Sequence, residues 1–302
     1  MSRAVGEAVH DERRSERRGR LAILVAAVAW STAGLGQREL EVSPATQVAG
    51  RALFAAAALL VVVWVTERGN VWGSFRAIGR WGVAATLFLA VSSGTFMLAL
   101  NHTTVANVLF MQAAAPMMAA LLGWWLLSEP VSSRTWAGMA LAAVGVSLMV
   151  VGSVSGGLLA FVLPFVMTAS FAAVIVIARH RREVSLMPAT CASQVLLVVL
   201  VAPFASFASA TRADWTILAA LGICQIGLGL ALLTVAARLI PPAEVALISL
   251  LEIVLGPLWV WLAYDEVPAA TTLAGGAIVA VAVVLQATAD VRAAPRPVSE
   301  AA

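Results

Sequence analysis

The chain has 302 residues, of which 61% are hydrophobic and 12% charged, against about a quarter charged in an ordinary soluble domain. So few charges cannot build a water-facing shell, which excludes a soluble enzyme or a soluble binding module. The net charge of +3 contains no lysine, so every basic side chain apart from histidine is an arginine.

An arginine-rich segment, residues 1–19, comes first. Ten apolar stretches follow, at 21–37, 45–65, 81–100, 104–127, 135–152, 157–178, 188–208, 215–237, 242–263 and 269–288. A helix needs about 20 mostly apolar residues to cross a hydrocarbon core of about 30 Å. The stretches are continuously apolar and do not alternate, which argues against a β-barrel. The breaks between them carry turn-forming residues, among them Gly69-Asn70, Asn101-His102-Thr103 and Pro241-Pro242. The expectation is an all-α integral membrane protein with ten transmembrane helices. A basic start before a short apolar run also mimics a secretory leader, but losing it would invert the arginine pattern described next, so it is read as a retained first span.

Arginines collect on the cytoplasmic side of membrane proteins. With a cytoplasmic N-terminus, sixteen arginines fall inside, Arg38 and Arg212 fall outside, and Arg51 lies within a span. The reading is a multi-pass inner (plasma) membrane protein with both termini cytoplasmic. The basic tail then meets anionic lipid headgroups, and no nucleic-acid partner is expected.

Sliding the chain by 137 residues brings Glu129 onto Glu266, Gly138 onto Gly275 and Trp30-Ser31 onto Met167-Thr168. The chain thus divides into a first repeat, 20–152, a second, 153–288, and a cytoplasmic C-terminal tail, 289–302. Each repeat holds five helices. That odd number turns the second copy upside down, the arrangement of alternating-access transporters whose site lies near the midplane.

Pro116 in the fourth span, Glu129 thirteen residues later and Gly138 early in the fifth resemble the EamA-type branch of the drug/metabolite transporter superfamily. Leu251-Glu252, Glu266 and Gly275 look like its second repeat. The resemblance covers about 20–288 and implies export of amino acids and related metabolites, or of drug-like cations. One departure is Ile253, which stands where the second repeat often has proline. Pro257 follows four residues later, so a kink in the ninth helix is expected to shift by about one turn.

Glu252 lies ten residues into the ninth span, about 15 Å deep. A carboxylate there faces a cavity or a partner as a rule. It reads as a proton carrier or a counter-ion for an ammonium group, against the alternative of a protonated acid fastening two helices. Arg51, in the second span, would attract a substrate carboxylate, or snorkel outward. Asn107, Met111 and Gln112 in the fourth span face Glu244, Ile248, Ser249 and Glu252 under the repeat offset. They are either a midplane site or helix-to-helix contacts. Trp30 and Ser31, mid-span, are either an aromatic wall or packing. Glu129 and Glu266 end their helices, and with Pro116, Gly138, Pro257 and Gly275 they are read as structural, fastening short turns.

Cys191 and Cys224 lie in apolar runs, and the three histidines share no metal-ligand spacing. No metal and no cofactor are expected, and no phosphate loop or nucleophile elbow is present. Phosphorylated substrates need a cation cluster that one in-span arginine does not supply. The expected partners are a small-molecule substrate, membrane lipid and, as a coupling ion, the proton. The reading is a secondary transporter, not an enzyme, exporting amino acids or related zwitterions. The alternatives are a multidrug or quaternary-cation exporter and, in a different class, an integral membrane enzyme or a non-transport membrane protein.

Overall fold

The computed structural model describes residues 2–128, 133–153, 157–180, 186–240 and 242–293. Helices account for nearly all of them, and no strand occurs among the described residues. In chain order they are α1 (Ser2–Ser31), α2 (Ala33–Arg38), α3 (Pro44–Thr66), α4 (Val71–Arg76), α5 (Gly79–Leu100), α6 (Val105–Ala113), α7 (Ala115–Leu127) and α8 (Ser133–Ser153). The second half holds α9 (Gly157–His180), α10 (Leu186–Val201), α11 (Arg212–Ala220), α12 (Gly229–Leu239), α13 (Pro242–Ser249), α14 (Leu251–Tyr264) and α15 (Ala270–Ala293). Residues Leu221–Leu228, between α11 and α12, are π-helical.

Among the described residues, six helical segments are long and apolar enough to cross a membrane. The pair α6 and α7, bent by 40° at Ala114, makes a seventh. The remaining expected spans coincide with shorter apolar stretches, Trp136–Met149, Leu251–Tyr264 and Ala270–Ala282. Helix α1 begins at Ser2 and runs through the arginine-rich segment into the first apolar stretch. The seventh span ends earlier than expected. Pro203 cannot donate to an α-helical ladder, and two 3-10 turns follow Val201.

The helix limits have local causes. Ser43 accepts from the Thr46 N–H ahead of Pro44, Thr104 accepts from Asn107, and Thr211 and Asp214 form a capping box that opens α11. Helices α7 and α14 both stop at a residue in the left-handed region, Ser128 (φ 52°) and Asp265 (φ 53°). These two positions stand 137 residues apart, the repeat offset read from the sequence.

Packing follows the same interchange. Helix α8 packs on α15 and α3 on α10; α5 packs on α9 as α1 packs on α12; α7 packs on α9 as α1 packs on α14. At the α8–α15 crossing a Cβ on Gly145 would stand 2.6 Å from the Gly275 carbonyl oxygen, and one on Gly275 would stand 2.4 Å from the Gly145 oxygen. Gly138 has its nearest neighbour, the Ala282 carbonyl, at a comfortable 3.8 Å from such a Cβ. Large apolar side chains such as Leu60, Val61, Trp125, Val199 and Leu262 remain on the outside, as a hydrocarbon solvent requires.

Gly145→Ala is therefore expected to lower stability by about 1–3 kcal/mol through overpacking against backbone. Gly138→Ala should be neutral or slightly stabilising, because alanine is the better helix former. Thermal midpoints of the two detergent-purified variants check the contrast.

Candidate functional site

Three interrupted helices, the first, fourth and ninth of the expected spans, pack on one another. The first is broken at Thr32, where the hydroxyls of Ser31 and Thr32 donate to the carbonyls of Val28 and Ala29. Such back-bonding competes with the helical ladder and bends helices. The fourth is broken at Ala114, just ahead of Pro116, which sits in the first turn of α7 where its missing N–H costs nothing. The ninth is broken at Leu250.

The break in the ninth helix corrects the expectation drawn from Pro257. That proline lies inside α14, and the discontinuity falls before Glu252. Helix α14 starts at Leu251, which puts Glu252 in its first turn, near the positive end of the helix dipole, where a carboxylate is stabilised.

Glycines let these three segments touch. A Cβ on Gly34 would meet Val105 and Val260, and one on Gly256 would lie 2.2 Å from Leu109 and 3.7 Å from the Ser31 carbonyl. Glu252 lies one turn before Gly256 and shares its face. It is 8% exposed and makes no hydrogen bond or ion pair among the described residues.

The other expected site residues divide. Ser31 is buried, and its hydroxyl accepts from the Trp259 indole N–H at 3.0 Å, joining the first helix to the ninth. Trp30 lies against Gly229, where a Cβ would come within 2.2 Å of the indole nitrogen. Asn107 is engaged at the start of its own helix, donating to Thr103 Oγ1 at 3.0 Å. Met111 is buried and Gln112 half-buried on the same short helix. The Ser249 hydroxyl bonds to Val245 in its own helix. Arg51 is buried against Ser93 on α5, in another part of the bundle wall. Glu129 lies outside the described residues.

Glu266 reaches beyond its own turn. One carboxylate oxygen accepts from Arg38 Nε at 2.8 Å and the other from the Val105 N–H at 2.9 Å. Arg38 also donates to Gln37 Oε1 and to the carbonyls of Leu100 and Thr103. One ion pair thus clasps the ends of the first, third, fourth and ninth helices. Gln47 extends the network, accepting from Asn101 Nδ2 at 2.8 Å. At the opposite end Arg20 pairs with Glu244, so the first and ninth helices are joined at both ends. Two of these partners, Trp259 and Arg38, were missed by sequence reasoning. The only signals were an unexplained mid-span tryptophan and one of the two arginines on the arginine-poor side.

No cluster of histidine, cysteine, aspartate or glutamate able to hold a metal occurs among the described residues.

Residues 17–151 match the EamA-like transporter family. The chain is also similar to a solved crystal structure of a protein, at 16% identity and a TM-score of 0.62, covering 92% of this chain and 99% of that one. At that identity the likeness concerns the fold alone. Among curated proteins none matches.

The Arg38–Glu266 pair is about a fifth exposed on each side. Glu266→Gln should lower the thermal midpoint, by an amount equivalent to about 1.5–3 kcal/mol for a hydrogen bond to a charged group. Adding Glu266→Gln to Arg38→Gln should cost less than it does alone, as a double-mutant cycle on thermal midpoints would show.

Proposed function

We infer from the match of residues 17–151 to the EamA-like transporter family that this chain is a transporter of that family, exporting amino acids or related zwitterions across the inner membrane. The observation that carries this reading is Glu252: an acid in the bundle interior, at the first turn of a broken helix, with no partner of its own. Discontinuous helices are where transporters place their substrates, because the freed helix ends meet charged groups there. A lone carboxyl in such a place is matched by the ammonium of an amino acid, or by a proton when the site is empty of solute.

Two inverted five-helix bundles rocking around that centre would expose it to each side in turn. The paired αL stops at Ser128 and Asp265 and the interchanged packing of the helices support this arrangement. Arginine placement supports cytoplasmic termini. A second reading, export of hydrophobic cations, is favoured by Trp30 and Trp259, which offer aromatic faces near the same breaks.

Counterflow in proteoliposomes tests the reading. Unlabelled amino acids, quaternary cations or sugars are loaded inside, and uptake of a labelled amino acid is followed. Acceleration by amino acids alone is the expected result, and acceleration by quaternary cations alone would select the second reading. Glu252→Gln should slow exchange of ammonium-bearing solutes about tenfold or more, the value of one charge-assisted bond. Wild-type exchange should weaken as the pH falls and protons compete for the carboxyl. If the Glu252→Gln variant keeps that pH dependence, Glu252 is not the proton's site.

A further inference from the structure

Arg51 is a second buried charge, of opposite sign, and it too lacks a counter-ion. It lies seven residues beyond Pro44 in α3, about 10 Å along the helix, and is 2% exposed. Among the described residues no carboxylate pairs with it. Its hydrogen bonds all leave from one nitrogen: Nη2 donates to the Ser93 carbonyl at 3.0 Å and to Ser93 Oγ at 2.7 Å. Nε is buried and has no acceptor. The guanidinium carbon stands 5.7 Å from the centre of the Phe96 ring.

The wall facing α3 at this level is the π-helical stretch Leu221–Leu228. A Cβ on Gly222 would come within 2.7 Å of the Arg51 carbonyl oxygen and 2.6 Å of the Phe54 Cβ, so the two backbones are in direct contact. Three residues on, the Gln225 side chain is 6% exposed and its Oε1 is buried without a donor. An unsatisfied cationic donor and an unsatisfied acceptor therefore stand on two elements packed together. Each is costly in an apolar surrounding. Both costs are removed by one ligand that carries a carboxylate beside an N–H group.

We propose that Arg51 and Gln225 form a subsite for the carboxylate end of the transported solute, with Arg51 binding the carboxylate and Gln225 accepting one N–H of the adjacent ammonium, whose other N–H groups stay free for Glu252. The subsite rests on the zwitterion reading above and adds what that reading lacks, a reason for an acid to be required. Nε offers the carboxylate a charge-assisted hydrogen bond. The Ser93 hydroxyl, which also donates to Gln194 Oε1 at 3.5 Å, holds the guanidinium in place from the other side. A solute without the carboxylate leaves the cation uncompensated and should be a poor substrate.

The test compares leucine, its decarboxylated amine and its deaminated acid as counterflow substrates of the full-length protein in proteoliposomes. Wild type should exchange leucine well and the amine poorly. Arg51→Gln should lose leucine exchange by about tenfold or more while amine exchange is kept, which removes the preference. Equal loss of both solutes, or undiminished leucine exchange, overturns the subsite and leaves the Glu252 reading standing. Wild type that exchanges the amine as well as leucine overturns it in the same way. Exchange of none of the three by wild type overturns both. Should Arg51→Gln not fold, the wild-type protein still decides: leucine should raise its thermal midpoint and the amine should not, and equal shifts overturn the proposal.

Discussion

A chain dissolved in hydrocarbon must satisfy its backbone N–H and C=O groups within itself, and this requirement governs the whole molecule. It explains why nearly every described residue is helical and why the ends are capped by Ser43, Thr104 and Thr211. It also makes each interruption informative. The breaks at Thr32, Ala114 and Leu250 and the π-helical stretch lie among other helices. Glu252 stands in the first turn after Leu250, and the π-helical stretch lies against α3 at Arg51. The irregular backbone and the unpaired charges therefore share the same places.

The sequence made the helices legible because hydrophobicity is a local property that each stretch carries in full. The second and third spans, 45–65 and 81–100, fall almost residue for residue on α3 and α5. The ninth was harder. Pro257 is the strongest local break signal there, yet the helix accommodates it and breaks earlier, at Leu250. Leu250 lies one residue short of the position equivalent to Ala114 under the repeat offset. Helix α14 packs on the first and fourth helices, and no window of the ninth span contains those contacts. The Arg38–Glu266 clasp joins residues 228 positions apart, and nothing in either neighbourhood announces it. Glu266 looked like a turn residue because it follows a helix end; its carboxylate is spent on the start of α6 instead.

The two ends of the first and ninth helices bear on how the bundle can move. Arg20 with Glu244 at one end and Arg38 with Glu266 at the other, with Ser31 and Trp259 between them, tie this pair along its length. Helices joined in this way move together more readily than they separate. The rocking motion proposed above would have to break a clasp at one end or carry the pair as a unit. The exposed Arg20 pair is the weaker contact, since water competes for both partners and screens them. The Arg38 pair is more buried and is supported by two carbonyls and a helix N-terminus, so more must be broken to open that end.

Energetics also explain why the two interior charges are not paired with each other. An ion pair closed on itself would leave no charge for a passing solute and would hold the bundle in one state. Glu252 and Arg51 sit instead on helices of different packing groups, α14 against α1 and α6, α3 against α10 and the π-helical stretch. Each is held by what the fold can supply without a counter-ion. Glu252 has the N-terminal end of α14, and Arg51 has Ser93 and the face of Phe96. Those substitutes are weaker than a full opposite charge. The shortfall is the interaction energy the resting protein leaves available to a charged group that enters beside either side chain.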